Sequence, residues 1–251
     1  MRVFFLLFGK ELRTYFHSLI AYVVLGLSML LHGLTFVYFV YALRKAPAGF
    51  SLVEAAFNSD PFWRVLILIV PVITMRLFSE EQKAGTLEPL LTAPVRTNQL
   101  VLAKFASAWV FFLILYLPVM FNFAVYEHFS GASAAFSPAS YGGAFTMVFL
   151  AGALFLSVGC LASALTSNQI VAAVGCFSVL AVIFFLGFVS YVGYELNPLT
   201  VQVLSYLSPR EHMRDFCRGL FDTRPFVYYL STTALMLYLT HQALDYRKWK
   251  V

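Results

Sequence analysis

The chain carries a polar insert at Arg76–Phe105, which reads RLFSEEQKAGTLEPLLTAPVRTNQLVLAKF. It lies between two strongly apolar segments, where only a short turn is needed. Residues 79–83 and 87–91 favour helix, Gly85 favours a tight turn, and Pro94 ends the pattern. Because the insert is too long and too patterned for a simple turn, it predicts a contact with something outside the membrane.

The whole chain is unusually apolar. Of its 251 residues, 61% are hydrophobic and 12% are charged, whereas soluble domains carry about 25% charged residues. A soluble protein of this size could not bury so much apolar surface, so the composition predicts that lipid surrounds the chain. The net charge of +5 suits the anionic lipids of a cytoplasmic leaflet and requires no nucleic acid.

Six segments are predicted to cross the membrane, since spanning about 30 Å of hydrocarbon takes about 20 helical residues. They are Leu19–Leu43, Phe62–Phe78, Leu100–Tyr126, Tyr141–Leu165, Ile170–Gly193 and Phe226–Leu244. Their apolar character is continuous, whereas the strands of a membrane β-barrel alternate. The sequence therefore predicts an all-α polytopic membrane protein whose residues 1–251 form a single transmembrane domain.

The N-terminal residues have the pattern of an amphipathic helix lying in the membrane interface. Phe5, Phe8 and Leu12 recur at helical spacing, while Lys10 and Arg13 share another face. The alternative is an ordinary flank that only anchors the first span.

A second short helix is expected on the outer side, before the sixth span. Ser208–Glu211 has the pattern of a capping box with proline at the first helical position, and Gly219 supplies a stop. The arginines of this helix fit either a site for an anionic ligand or a solvated face. The solvated face would be stabilised by the ion pairs Glu211–Arg214 and Asp215–Arg218.

Small residues are abundant in the fourth and fifth predicted spans, including Gly152, Gly159 and Gly175. Such residues let helices approach closely, which predicts a tight antiparallel hairpin. Lining of a translocation path is the alternative interpretation.

An even number of spans places both termini on one side of the membrane. Basic residues cluster next to the first and last spans: Arg2, Lys10, Arg13, Arg247, Lys248 and Lys250. Because positive charge favours the cytoplasmic side, we expect both termini and the polar insert to be cytoplasmic.

The sequence contains no arrangement typical of an enzyme. It has no paired nucleophile and base, no His/Cys spacing suited to a metal, and no glycine-rich phosphate loop. We therefore predict no catalytic residue, no metal site and no cofactor bound by this chain. Residues that bind a substrate cannot be assigned from the sequence.

Three stretches resemble the membrane subunit of type-2 ABC exporters: the insert itself, SALTSNQIVAA at Ser163–Ala173, and Ser208–Trp249. Within that group, the chain is most similar to gliding-motility-associated permeases and their copper-site-maturation relatives. Pro89, which follows Glu88, departs from the longer helix of the family pattern. It is the expected place for a break in the insert.

The resemblance implies a permease in the bacterial cytoplasmic membrane that pairs with a second permease, as a homodimer or with a close paralogue. Two copies of a separate ABC ATPase would bind ATP and Mg²⁺, and an extracytoplasmic accessory protein is a further potential partner. The insert would be the coupling helix that docks on the ATPase. The residues given this role are Glu80, Glu81, Gly85, Thr86, Leu87, Glu88, Leu90 and Leu91.

Two other functions fit parts of the sequence. A stand-alone channel or secondary transporter would need a charged or broken-helix site near the membrane midplane, for which only His32 and Pro71 are candidates. A non-transporting membrane scaffold would use the insert as a docking site for another protein.

Overall fold

The computed structural model describes residues 2–45, 51–92, 96–130, 137–192 and 197–248, and in these ranges every regular element is a helix. The helices, in chain order, are α1 Arg2–His17, α2 Leu19–Lys45, α3 Leu52–Phe57, α4 Asp60–Thr74, α5 Ser79–Lys83, α6 Leu87–Thr92, α7 Thr97–Ser130, α8 Pro138–Leu165, α9 Gln169–Val192, α10 Pro198–Leu207, α11 Pro209–Cys217 and α12 Thr223–Lys248.

Four helical segments are long and apolar enough to cross a membrane: α2, α4 together with its continuation through α5, α7, and α8. They correspond to the first four predicted spans. Helix α9 has 24 residues, and its segment Gln169–Phe185, where the side chains are described, is apolar. Helix α12 has 26 residues but a more polar composition than those four segments. The structure thus confirms a helical membrane protein, and the count of six spans stays a prediction.

Helix α8 forms the centre of the bundle and packs along α4, α7, α9, α11 and α12. Gly152 of α8 lies against the Phe112 ring of α7, and Gly159 lies against the Thr74 side chain of α4. A Cβ atom at either glycine would overlap with that neighbour, whereas one at Gly175 of α9 would meet nothing within 4 Å. Three glycines of α8 therefore serve packing, against α4 and α7 at these two positions and against the Phe216 carbonyl of α11 at Gly143.

The polar insert forms two short helices, α5 and α6, on either side of the tight turn that the sequence predicted at Gly85. The break lies at Gly85, whose φ of 68° is a left-handed conformation that glycine adopts without strain. The expected break at Pro89 is wrong. Pro89 is the third residue of α6, where a missing N–H leaves no helical hydrogen bond unmade.

At the opposite end of the bundle, α11 packs against α3, α8 and α9. It is the predicted outer helix, and Gly219, with φ 78°, follows its end. Ser208 is the N-cap residue, but its side chain makes no capping hydrogen bond. The predicted capping box is wrong in that respect. Met213 and Phe216 are buried as expected, whereas Leu220 is exposed.

The α11 arginines bind carboxylates on neighbouring elements. Arg218 donates through two nitrogens to Glu54 of α3, at 3.2 and 3.0 Å. The predicted pair of Arg218 with Asp215 is therefore not the pair that forms. Arg210 lies 2.8 Å from Asp60, and the predicted pair of Arg214 with Glu211 is present. These contacts fix α11 and α3 together, so the arginine face is engaged within the chain.

Candidate functional site

The insert lies at one end of the bundle, where it meets α1, the start of α7, and the ends of α8 and α12. We call this region the insert end. Its polar side chains come from five parts of the sequence and converge on α5. The fold brings them together because α7, α8 and α12 all have a terminus here.

Helix α5 begins without a hydrogen bond from its own N-cap side chain. Instead, the Ser163 hydroxyl of α8 accepts the backbone N–H groups of Phe78 and Ser79, at 3.0 and 3.1 Å. The same hydroxyl donates to the Met75 carbonyl oxygen at 3.2 Å. Ser163 is fully buried, so a distant residue satisfies backbone groups that a helix start leaves open.

The C-terminal end of α8 is closed by side chains from α5 and α12. Gln82 donates through Nε2 to the Ala164 carbonyl oxygen at 2.9 Å. Arg247 donates to the Leu165 carbonyl oxygen at 3.0 Å and to Gln82 Oε1 at 2.8 Å. The last carbonyl groups of a helix lack partners within the helix and attract cations. The insert is thereby attached to both α8 and α12.

A buried cation links the insert to the N-terminal helix. Lys104 of α7 is only 2% exposed, and its ammonium lies 3.1 Å from Glu11 of α1 and 3.0 Å from Glu81 of α5. It also lies 5.5 Å from the centre of the Phe78 ring. A buried ammonium needs paired carboxylates, so this ion cluster fixes α1, α5 and α7 relative to one another.

A second polar connection joins α7 to α12. Thr97, the first residue of α7, donates to Asp245 Oδ1 at 2.7 Å, and His241 lies 3.2 Å from the other oxygen of Asp245. The last helix thus contacts both the insert and the start of the helix that follows the insert.

The predicted coupling residues do not all share one environment. Glu80, Gly85 and Thr86 are exposed, whereas Leu87 is buried in the protein's own core and Leu90 packs partly against it. Glu81 is engaged with Lys104. The side chains of Glu88 and Leu91 lie outside the described residues. The exposed part of the insert is therefore the turn around Gly85, together with Glu80.

The residues predicted for the interface helix lie in α1. Leu12 packs against the core, whereas Lys10 and Arg13 are exposed. The role of α1 as an interface helix stays a prediction. Phe8 is half-buried and stacks on Phe4. Phe5 is 65% exposed, so it belongs to the outer surface of the helix.

A cavity of about 280 Å³ lies between α1, the start of α2, the end of α4, and α7. Arg76, Glu80 and Glu81 line its polar end, and the Lys104 ion cluster closes one wall. The sequence identified these residues as part of the insert without indicating a cavity.

Metal binding finds no support in the described ranges, where no group of three His, Cys, Asp or Glu side chains could hold an ion. All three cysteines are buried and unpaired with one another as disulfides. Their simplest role is packing.

Sequence reasoning missed the contacts that hold the insert, because the partners are far apart in the chain. A signal was present for one of them. Glu11 and Lys104 are charged residues inside apolar stretches, and such residues seek an opposite charge. Nothing in the sequence marks Ser163 as the partner of the α5 backbone.

Comparison with known proteins agrees with this arrangement. A family model described as ABC-2 family transporter protein matches residues 50–244. A search of curated proteins gave no match. The matched region includes the insert and extends from α3 into α12, well over half of the 251 residues. The chain, a helical membrane protein with a polar insert held by its own helices, belongs to the ABC-2 family of transporter proteins.

Proposed function

We propose that this chain is the permease subunit of an ABC exporter and that its insert receives force from a separate ATPase. The observation that carries the proposal is the set of connections around α5. One short element is tied to α1 and α7 by the Lys104 ion cluster, and to α8 and α12 by hydrogen bonds. A displacement of α5 would therefore act on four helices at once.

The exposed turn around Gly85 supports docking of a partner. Glu80, Gly85 and Thr86 project from the insert end and have no packing role inside the chain. Leu87, which the sequence suggested as an apolar anchor for the partner, is used internally. We therefore assign docking of the ATPase to the turn and to Glu80. Glu81 and Gln82 would transmit the movement of the insert to the helices that they contact.

The remaining features of the proposal follow from family membership and the sequence. Two copies of the ATPase would bind ATP and Mg²⁺ on the cytoplasmic side, next to both termini, and two permease subunits would form the pathway in the cytoplasmic membrane. The stretches at Ser163–Ala173 and Ser208–Trp249 support placement among the gliding-motility-associated permeases and their copper-site-maturation relatives. An extracytoplasmic accessory protein would fit that placement.

Cross-linking tests the docking assignment. The three natural cysteines are buried, so a cysteine placed at exposed Thr86 (Thr86→Cys) should dominate the reaction with a co-expressed ABC ATPase. The control is Thr223→Cys, exposed at the opposite end of the bundle. We expect a permease–ATPase product from Thr86→Cys alone.

Three results would contradict this function. Equal cross-linking from both positions would mean that the insert is no specific docking site. Substrate movement in vesicles that contain this chain but no ATPase would indicate a channel or secondary transporter. Assembly with a partner that neither binds nor hydrolyses ATP would indicate a scaffold.

A further inference from the structure

The cavity at the insert end has two chemically different halves. Its polar half is lined by Arg76, Glu80 and Glu81, and its apolar half by side chains of α2, α4 and α7 such as Val24, Val72 and Phe111. A ligand that fills it must carry a charged group at one end and hydrocarbon at the other. This combination is that of an amphiphile lying at a membrane interface.

The polar half contains a donor and an acceptor that lack partners within the described residues. Arg76 Nε and Glu81 Oε2 are both buried atoms without a hydrogen bond. Leaving a buried charged group without a hydrogen bond costs free energy. Arg76 Nε therefore needs an acceptor, and Glu81 Oε2 needs a donor. The ligand should therefore present an acceptor to Arg76 and a donor to Glu81.

Further charges surround these two atoms. Lys10 lines the cavity and also a neighbouring groove along α1, to which Arg13 and Arg76 contribute as well. Lys10, Arg13 and Arg76 form no ion pair within 4.0 Å with a described carboxylate. Glu80, which also lines the cavity, has none with a described cation. Three cations and two carboxylate groups are thus available to one ligand.

We propose that the cavity binds the headgroup of a phospholipid that carries a primary amine, such as phosphatidylethanolamine. The phosphate would accept from Arg76 and Lys10, and the ammonium would donate to Glu81 Oε2 and Glu80. One acyl chain would lie along the apolar half. The site shares Glu80 with the proposed docking surface but does not include the turn around Gly85. Lipid binding to the purified chain can therefore be tested without an ATPase.

The arrangement separates three lipid headgroups by their chemistry. Choline carries a positive charge but no N–H, so it cannot donate to Glu81 Oε2. Glycerol carries no cation and would leave Glu80 without a counter-charge, whereas Glu81 is already paired with Lys104. Ethanolamine alone among the three satisfies the arginine and the carboxylates together.

Native mass spectrometry of the full-length protein tests the proposal. The purified chain is stripped of lipid in mild detergent. It is then titrated with phosphatidylethanolamine, phosphatidylcholine and phosphatidylglycerol that have identical acyl chains. We expect the first molecule of phosphatidylethanolamine to bind at about tenfold lower concentration than the first molecule of phosphatidylcholine. A difference of this size is the effect of one charge-assisted hydrogen bond.

Two variants locate the site. Arg76→Gln should lower the affinity for all three lipids alike, because the phosphate that they share loses its arginine donor. Arg64→Gln, a change at the exposed opposite end of α4, should retain the affinity of the natural protein. If Arg76→Gln does not fold, the comparison of headgroups on the natural protein still decides the question.

Several outcomes would overturn the proposal. Equal binding of ethanolamine and choline lipids would exclude recognition of the amine. Tighter binding of the glycerol lipid would mean a site for a negative phosphate only. Displacement of the ethanolamine lipid by millimolar inorganic phosphate would identify a soluble ligand, and an equal loss in both variants would place lipid binding elsewhere.

Discussion

Gln82 and Arg247 lie 165 positions apart in the sequence, yet Arg247 donates a hydrogen bond to the Gln82 side-chain oxygen at 2.8 Å. Each of the two side chains also donates to a carbonyl oxygen at the end of α8. The insert, the central helix and the last helix are thus joined through one pair of residues. The predictions below begin with that pair.

The Gln82–Arg247 pair should show energetic coupling. Replacing either residue by alanine leaves a carbonyl of α8 without its partner and also breaks the hydrogen bond between the two side chains. The double variant loses that shared bond a single time, so its loss of stability should be smaller than the sum of the two single losses. A double-mutant cycle measured by chemical unfolding should give a coupling of about 1 kcal/mol. Gln242→Ala, whose side chain meets only exposed Tyr238, is the control and should change little. Strict additivity would contradict the bridging role.

Removal of the buried cation should destabilise the protein strongly. Lys104→Met leaves Glu11 and Glu81 without a counter-charge. We expect a loss of about 3 kcal/mol, the lower end for a broken buried ion pair, because both carboxylates keep some exposure. Thermal unfolding in detergent measures the change.

A combined variant separates charge from packing at Lys104. Adding Glu11→Gln and Glu81→Gln to Lys104→Met removes the uncompensated charges, so much of the lost stability should return. A triple variant as unstable as Lys104→Met would show that the aliphatic stem, rather than the charge, matters. Arg224→Met, at an exposed ion pair, should have little effect.

The turn of the insert should depend on glycine for its backbone conformation alone. A Cβ at Gly85 would meet nothing within 4 Å, so Gly85→Ala should cost about 1 kcal/mol from the left-handed φ only. Gly26→Ala, in the middle of α2 and equally free of neighbours, should be neutral or stabilising. Equal effects at the two positions would refute a specific requirement at Gly85.

Two glycines of adjacent helices should respond in opposite ways to the same change. Gly159→Ala places a Cβ against Thr74 of α4, which we expect to cost about 1–3 kcal/mol through overpacking. Gly175→Ala on α9 faces open space and should not destabilise the chain. Thermal melts of the two variants compare them directly, and a destabilised Gly175→Ala alone would contradict the packing described.

The stability of the α11 region should fall on acidification. Burial lowers the pKa of His212 below its ordinary value of 6.5, against the opposing effect of Asp215 and Asp222. The unfolded chain therefore binds a proton below pH 6.5 while the folded chain resists it, so His212 makes stability decrease as pH falls from 6.5.

A His212→Gln variant isolates that contribution. The difference in melting temperature between the natural protein and the variant should shrink between pH 7 and pH 5. A difference that stays constant with pH would mean that His212 titrates alike in both states. His212 also contacts the Tyr229 hydroxyl, which lies 3.3 Å from Nδ1. This contact contributes a part of the difference in melting temperature that does not depend on pH.

Local signals in the sequence predicted the long helices well. Continuous apolar runs gave α2 and α8 nearly to their ends, because lipid tolerates only backbone that is hydrogen-bonded within the segment. The existence of α1 and of α11 also follows from patterns within a few residues, although the capping bond predicted at Ser208 is not made. The turn at Gly85 was also predicted, because glycine favours such turns. The break expected at Pro89 was wrong, because proline is tolerated in the first turn of a helix.

Contacts across the sequence were not predictable in the same way. Lys104 meets a carboxylate 93 positions away on α1, and Ser163 meets backbone groups 85 positions away. A single sequence records which groups need partners, but not which groups the packing of helices brings near. The exposed insert residues could therefore be proposed from sequence, whereas the contacts that tie α5 to α1, α7, α8 and α12 could not.

The Ser163 hydroxyl uses its whole hydrogen-bonding capacity at one corner, with two bonds accepted and one donated. One oxygen atom of α8 thus holds the passage from α4 to α5 from outside, in addition to the local bonds of Ser79 to Met75 and of Leu77 to Thr74. Bending of that corner cannot proceed by small increments, because all three bonds share one centre and are lost together. We therefore expect this corner to adopt two discrete conformations, rather than a continuous range of bend angles.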